Sequence, residues 1–178
     1  MVVGSSTGWY GLGSPVIVFA VADRYYHFDQ WSGDVASGAN PLPLVMTQPW
    51  QVTANIAENR TTNTGTPEWW LAQFGWTNQF EDAAANDADG DDVQTSDEYL
   101  ADTIPTNGDS YLRMNWAVDG RLQWVGGTGV FQYLEKSEDL LSNVWKTVVT
   151  NVPPTFVTNS LSVREGFVDG FYRVRAVR

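Results

Sequence analysis

The sequence predicts a mainly β protein, and three observations carry that prediction. Short runs of β-branched and aromatic residues recur along the chain, punctuated by Gly, Pro, Asn and Asp. Nine Trp, seven Tyr and eight Phe in 178 residues supply a substantial core. Helix signals are confined to one central stretch between two strand-rich regions. The expected organisation is a small β module over residues 1–57, a linker with short helices over 58–110, and an antiparallel β-sandwich over 111–178.

The first region opens on a turn-rich entry, Gly8 to Gly13, and Pro15 then leads into Val16-Ile17-Val18-Phe19-Ala20-Val21. A half-exposed strand would alternate apolar and polar residues. This run is apolar throughout, which predicts a strand buried on both faces or packed against a neighbouring chain. Tyr25 to Asp34 reads as a strand running into a turn, and Leu44 to Met46 and Trp50 to Ile56 as two more.

Glu58 to Gly65 is polar and without periodicity, as a linker should be. Thr66-Pro67-Glu68 then announces a helix, with Thr66 as N-cap, Pro67 at the first helical position and Glu68 at the positive end of the dipole. Trp69, Trp70, Leu71 and Phe74 give this helix an apolar stripe, and Gly75 ends it. A second short helix is expected over Asn78 to Ala85.

Directly after it, in Asn86 to Glu98, carboxylates fall at alternate positions, Asp87, Asp89 and Asp91, and Glu98 follows eleven residues after the first. That is the ligand spacing of a twelve-residue calcium loop, because Ca²⁺ wants six to eight oxygens and a tight turn of alternate carboxylates supplies several. Asp87, Asp89, Asp91 and Glu98 are the expected carboxylate ligands. Val93 would add a backbone carbonyl, and Thr95 or a bound water a further oxygen. The surrounding stretch from Thr61 to Leu112 is rich in acids and holds no Lys or Arg, so it must be solvated, disordered or holding a cation. The competing reading is an acidic, solvated linker. Asp92 occupies the sixth loop position, where the turn demands a left-handed residue that Asp tolerates better than most. Thr95 to Glu98 also reads as a capping box opening a short helix through Leu100, a duty that competes with ligation. Asp97 is therefore the alternative ligand.

Residues 111–178 predict six strands: Tyr111 to Ala117, Leu122 to Val125, Val130 to Glu135, Val144 to Val149, Thr155 to Val163, and Phe171 to Val177. Asp119-Gly120, Gly126-Gly127, Pro153-Pro154 and Asp169-Gly170 signal the turns, with Gly126 to Gly129 expected as a hairpin.

Each region also resembles a known family. Phe28, Trp31-Ser32-Gly33-Asp34, Asn40-Pro41, Met46 and Val52-Thr53-Ala54 resemble the divergent internalin-type B-repeat of bacterial surface proteins, over most of residues 8–57. That resemblance implies a compact β-grasp-like module serving as an extracellular spacer or adhesion element. Pro67, Trp69-Trp70, Asp87, Asp89, Asp91, Glu98-Tyr99, Ala101 and Pro105-Thr106-Asn107 resemble the calcium linker of large secreted proteins from verrucomicrobia-like bacteria, a relative of thrombospondin type 3 repeats. Ile104 stands where that family often carries an acid, so one calcium is expected. Leu134-Glu135-Lys136-Ser137, Asp139-Leu140, Trp145 and Phe171-Tyr172-Arg173-Val174 resemble the fibronectin-type-III-like sandwich that follows such linkers, which implies a scaffold.

The chemistry left to such a chain is narrow. A net charge of −11 argues against nucleic acid and anionic membrane surfaces. No apolar run approaches the roughly 20 residues of a membrane helix. The start lacks the charged and long apolar stretches of a signal peptide, so export would require a processed product or a fragment. Without Cys and with His27 alone, nucleophilic triads and the usual zinc sites are not expected. Gly126-Gly127-Thr128-Gly129 lacks the Lys of a phosphate loop. No catalytic residue is assigned.

The resulting expectation is a non-enzymatic, secreted or surface-displayed structural or adhesive protein with Ca²⁺ in its middle. A carbohydrate-binding accessory domain is the alternative, with Trp9, Trp50 and Trp76 as stacking residues and a surface polysaccharide as partner. Arg173, Arg175 and Arg178 cluster in the last strand while the acids cluster centrally. Such a dipolar chain could pair head to tail with itself, aided by Val16 to Val21 and Met1-Val2-Val3, and build a filament. The other reading keeps those Arg residues within the molecule, on an edge strand. Each end unit is marginal alone, and the Trp-rich helix is expected to wedge the two together.

Overall fold

The computed structural model describes residues 8–162 and 170–178. Among them, ten strands and three short helices make the protein mainly β, as the residue pattern predicts. The Met1-Val2-Val3 terminus and the end of the run to Val163 lie outside the described residues.

Strands β1 (Pro15–Val18), β2 (Tyr26–Gly33), β3 (Leu42–Val45) and β4 (Val52–Glu58) form two antiparallel pairs, β1 with β3 and β2 with β4. Trp31, Leu42 and Ala20 are their buried centre, with Phe28, Val52, Ala54 and Ile56 packed around it. The Asn40 side chain clips the chain after β1. It accepts from the Ala20 amide at 3.0 Å and donates to the Ala20 carbonyl at 2.7 Å. The uninterrupted apolar run is only half-buried. Val18 and Ala20 turn inward, whereas Ile17, Phe19 and Val21 are 66%, 46% and 49% exposed. A two-stranded sheet has one protected face, so the pleat exposes every second residue whatever its chemistry.

Three helices follow: α1 (Glu68–Gln73), α2 (Phe80–Ala85) and α3 (Thr95–Ala101). Trp70, Leu71, Ala83, Ala84 and Tyr99 join them in one core, and Trp70 meets the rings of Phe74 and Tyr99 edge-on. Both expected N-caps are displaced by one residue. Pro67 caps α1, because the Thr66 hydroxyl pairs with Thr64 instead. Gln94 caps α3, which places Thr95 inside the helix and dissolves the expected capping box. Gly75, at φ +100°, follows the end of α1 in the left-handed conformation expected of it.

The C-terminal strands are β5 (Arg113–Trp116), β6 (Leu122–Val125), β7 (Phe131–Ser137), β8 (Lys146–Asn151), β9 (Thr158–Leu161) and β10 (Phe171–Val177). They make two antiparallel sheets, ordered β5-β6-β9 and β10-β7-β8. Leu122 and Trp124 from one sheet meet Leu134, Val149 and Val174 from the other in a shared core. Gly126 to Gly129 is not a hairpin. β6 and β7 belong to different sheets, so these residues carry the chain across the sandwich.

A buried amide organises that crossover. Gln132, fully buried, accepts from Trp124 Nε1 at 2.8 Å and from Asn159 Nδ2 at 3.1 Å, and donates to the Gly127 carbonyl at 2.7 Å. Every buried polar group in this set has a partner, so the network specifies the crossover without an unpaired cost.

On the outer face of β7, Glu135 accepts from Arg173 at 2.7 Å and from Arg175 at 3.1 Å. Burial raises the Glu135 pKa, but the two guanidiniums outweigh it and hold the carboxyl below its ordinary value. A lowered folded pKa contributes stability that is present above the unfolded value and lost as pH falls through the folded one. Glu135→Gln should therefore cost about 1–2 kcal/mol at pH 7, the worth of charged hydrogen bonds discounted for two half-exposed Arg partners. The gap between variant and wild type in urea midpoint should close below pH 4.

Candidate metal centre

The acidic loop sits between the end of α2 and the start of α3, and backbone hydrogen bonds close it at both ends. Asn86 donates to the Asp82 carbonyl at 3.1 Å, and Thr95 donates to the Asn86 carbonyl at 3.0 Å. Asp87 shapes the turn. Its Oδ1 accepts from the Gly90 amide at 2.7 Å and its Oδ2 from the Asp92 amide at 2.8 Å. Gly90 at φ +83° and Asp92 at φ +69° take the left-handed conformations that fold the loop back on itself. Asp91 Oδ1 accepts from the Val93 amide at 2.9 Å.

These turns bring Asp87, Asp89 and Asp91 together, with one carboxylate oxygen of each within 4.8 Å of the others, so the three could hold a metal ion. Glu98, on the first turns of α3, is fully buried, whereas Asp97 beside it is exposed. Thr95 is also fully buried. The Thr103 hydroxyl donates to Glu98 Oε1 at 3.4 Å.

The fit to a cation rests on the oxygens left over. Both oxygens of Asp89, Asp91 Oδ2, Thr95 Oγ1 and Glu98 Oε2 are buried without a well-formed hydrogen bond among the described residues, the Asp91 and Asn107 amides facing Asp89 too loosely to make one. Buried oxygens without donors are costly, and several converging carboxylates cost more still. Desolvation, then the charges of Asp89 and Asp91, push the Glu98 pKa up to about 8. Burial and its two acidic neighbours raise Asp89 as well. Asp87 goes the other way, lowered by the amides of Asp92 and Gly90. A hard divalent cation would supply the positive charge this set lacks, and all the free atoms are oxygens, the donors such ions prefer.

Sequence reasoning overlooked what lies above the loop. The segment after α3 folds back over it, bringing Gly108 close to the Asp89 carbonyl and the Asp91 side chain, and placing Thr103 on Glu98. Thr103 carries no motif; its role comes from the left-handed turn at Asp102, φ +59°. Ile104, in the position where an acid would extend the site, is half-exposed and offers no ligand.

The residues singled out for other chemistry are placed elsewhere. His27 Nδ1 pairs with Asn59 Oδ1 at 2.8 Å on the surface. Trp50 Nε1 donates to the Val45 carbonyl, Trp76 packs against the helical core, and Trp9 is fully exposed. Arg173 and Arg175 are engaged by Glu135, and Arg178 by Asp102.

Residues 2–60 match the family model of the divergent InlB B-repeat domain. The match covers the N-terminal module and supports a bacterial surface-type repeat there. No curated protein and no solved structure matches the chain. No helix among the described residues is long and apolar enough to cross a membrane.

Proposed function

We propose that this protein is a non-enzymatic, secreted or surface-displayed structural or adhesive element, stiffened in its middle by one Ca²⁺. The observation that carries the reading is the gathering of the Asp87, Asp89 and Asp91 carboxylates within 4.8 Å of one another, with buried oxygens of Asp89, Asp91, Thr95 and Glu98 left without hydrogen-bond partners. Asp87, Asp89, Asp91 and Glu98 supply the carboxylates, Val93 a backbone carbonyl and Thr95 its hydroxyl. Glu98 takes precedence over Asp97 because it is the buried one of the pair. The surface-type repeat at residues 2–60 supports an extracellular setting.

The ion's role is mechanical. It neutralises charges that would otherwise force the loop open, and so joins α2 to α3 between the two β regions. Isothermal titration of the intact chain with calcium chloride should show one site, and a flat titration at millimolar calcium removes the metal from the reading. Self-assembly into a filament is the further part of the proposal, supported by the exposed Ile17, Phe19 and Val21. Electron microscopy in calcium should show regular filaments; monodisperse particles count against a fibre subunit. The fully exposed Trp9 favours one other reading, a polysaccharide-binding accessory module, which glycan-array binding sensitive to Trp9→Ala would support.

A further inference from the structure

We infer, resting on the calcium reading above, that the ion latches the C-terminal sandwich to the linker and leaves the docking of the N-terminal module independent of it. The asymmetry follows from which element carries which contacts. Helix α3 bears Thr95 and Glu98 at one end and the sandwich contacts at the other. The Gly127 amide donates to the Ala101 carbonyl at 3.2 Å, and the Gly129 amide donates to Asp102 Oδ2 at 2.8 Å. Arg178 pairs with the other Asp102 oxygen, and its guanidinium lies 4.4 Å over the Tyr99 ring. The approach is so close that a Cβ at Gly127 would overlap the carbonyl oxygens of Ala101 and Asp102. Gln132 holds the Gly127 carbonyl from inside the sandwich, so the receiving surface is rigid.

The N-terminal contacts go to α1, α2 and the strand end before them. Asn59 donates to the Tyr25 carbonyl at 2.8 Å, and Glu68 donates to the Asn59 carbonyl at 2.9 Å. Trp69 Nε1 donates to Glu58 Oε1 at 2.8 Å, Tyr25 meets Phe80 edge-on, and Glu81 accepts from the Thr62 amide. One contact from this side reaches α3, where Arg60 lies beside the Tyr99 phenol. Without the cation, the gathered charges of Asp87, Asp89 and Asp91 are uncompensated beside the buried Glu98 and drive the start of α3 from the loop. That displacement is transmitted along seven residues to the sandwich contacts, whereas α1 and α2 keep theirs.

The test is hydrogen exchange of the full chain in calcium and in excess chelator, read peptide by peptide. Chelation should speed exchange of the Gly127–Gly129 amides and of residues 171–178 by about fivefold or more, a modest coupling between sites. The amides of Asn59, Thr61 and Glu68 should stay within about twofold. Coupling is reciprocal, so Gly127→Ala and Arg178→Ala should each weaken calcium affinity severalfold although neither residue touches the ion. The Arg178 side chain is partly exposed and its truncation creates no backbone overlap, which makes its variant informative even if the glycine variant misfolds. Calcium binding with equal protection on both sides, or with unchanged affinity in Arg178→Ala, overturns the asymmetric latch and leaves the calcium site standing. A flat calcium titration of the wild type overturns both.

Discussion

Millimolar calcium should raise the melting temperature by about 5–10 °C over protein in excess chelator. A ligand that binds only the folded state stabilises it by about 2.7 kcal/mol at a hundred times its dissociation constant. In a chain of this length each kcal/mol is worth about 2–4 °C. In the folded chain Asp87 holds the turn through backbone amides, and the buried oxygens of Asp89, Asp91 and Glu98 have no hydrogen-bond partners. The unfolded chain has no such convergence, so the binding energy is gained on folding. Magnesium should do less, because it demands a tighter octahedral shell and dehydrates reluctantly. Equal melting temperatures in calcium and chelator would show that no ion occupies the loop.

Glu98→Gln should invert the balance between the two conditions. In calcium the variant loses a buried anionic ligand and most of the thermal shift. In chelator it should equal or exceed wild type, because it removes the carboxylate that the site can least tolerate without a cation. The pH dependence gives the sharper signature. Glu98 in the folded protein is raised from 4.5 to about 8, by burial first and then by Asp89 and Asp91. The folded state therefore holds a proton that the unfolded state has released, so calcium-free stability falls as pH rises from about 4.5 to about 8. Gln carries no such proton, and the variant's melting temperature should be flat across that window apart from groups elsewhere. Asp97→Asn, on the exposed side of α3, should leave both the calcium shift and the pH slope unchanged. A full calcium shift in Glu98→Gln would remove Glu98 from the site.

The loop was legible in the sequence because its parts are consecutive. Alternate carboxylates, and a left-handed residue at Asp92, are properties of a dozen neighbouring residues, and a tight turn closes with little help from elsewhere. The strands were legible for a similar reason, with Leu122–Val125 and Phe171–Val177 recovered to the residue and most others to within a few. Boundaries slipped where local signals compete. Thr66 and Thr95 each have a cap's chemistry, yet a neighbour takes the position, because Thr66 pairs with the Thr64 hydroxyl and Thr95 is buried as the first residue of α3.

Pairing and sidedness were not legible. Gly126 to Gly129 reads as a hairpin by composition, but the strands on either side of it join different sheets. The apolar run at Val16 to Val21 reads as buried on both faces or packed against a neighbouring chain, and within this chain a two-stranded sheet leaves one of its faces open. The Arg cluster of the last strand reads equally as charge for a neighbour or as charge kept within the molecule, and in the structure Glu135 and Asp102 pair with it.

The sequence by itself determined that this is a mainly β chain, that its N-terminal third resembles a bacterial surface-type repeat, and which carboxylates crowd one loop. Only the tertiary structure decided that Glu98 is buried while Asp97 is exposed, that Thr103 leans on it, and that α3 carries the contacts to the sandwich. The division follows contact range. Turn geometry and alternation are set by residues a few positions apart, whereas the sandwich contacts join residues as far apart as Asp102 and Arg178, which meet only when α3 lies against the end of β10.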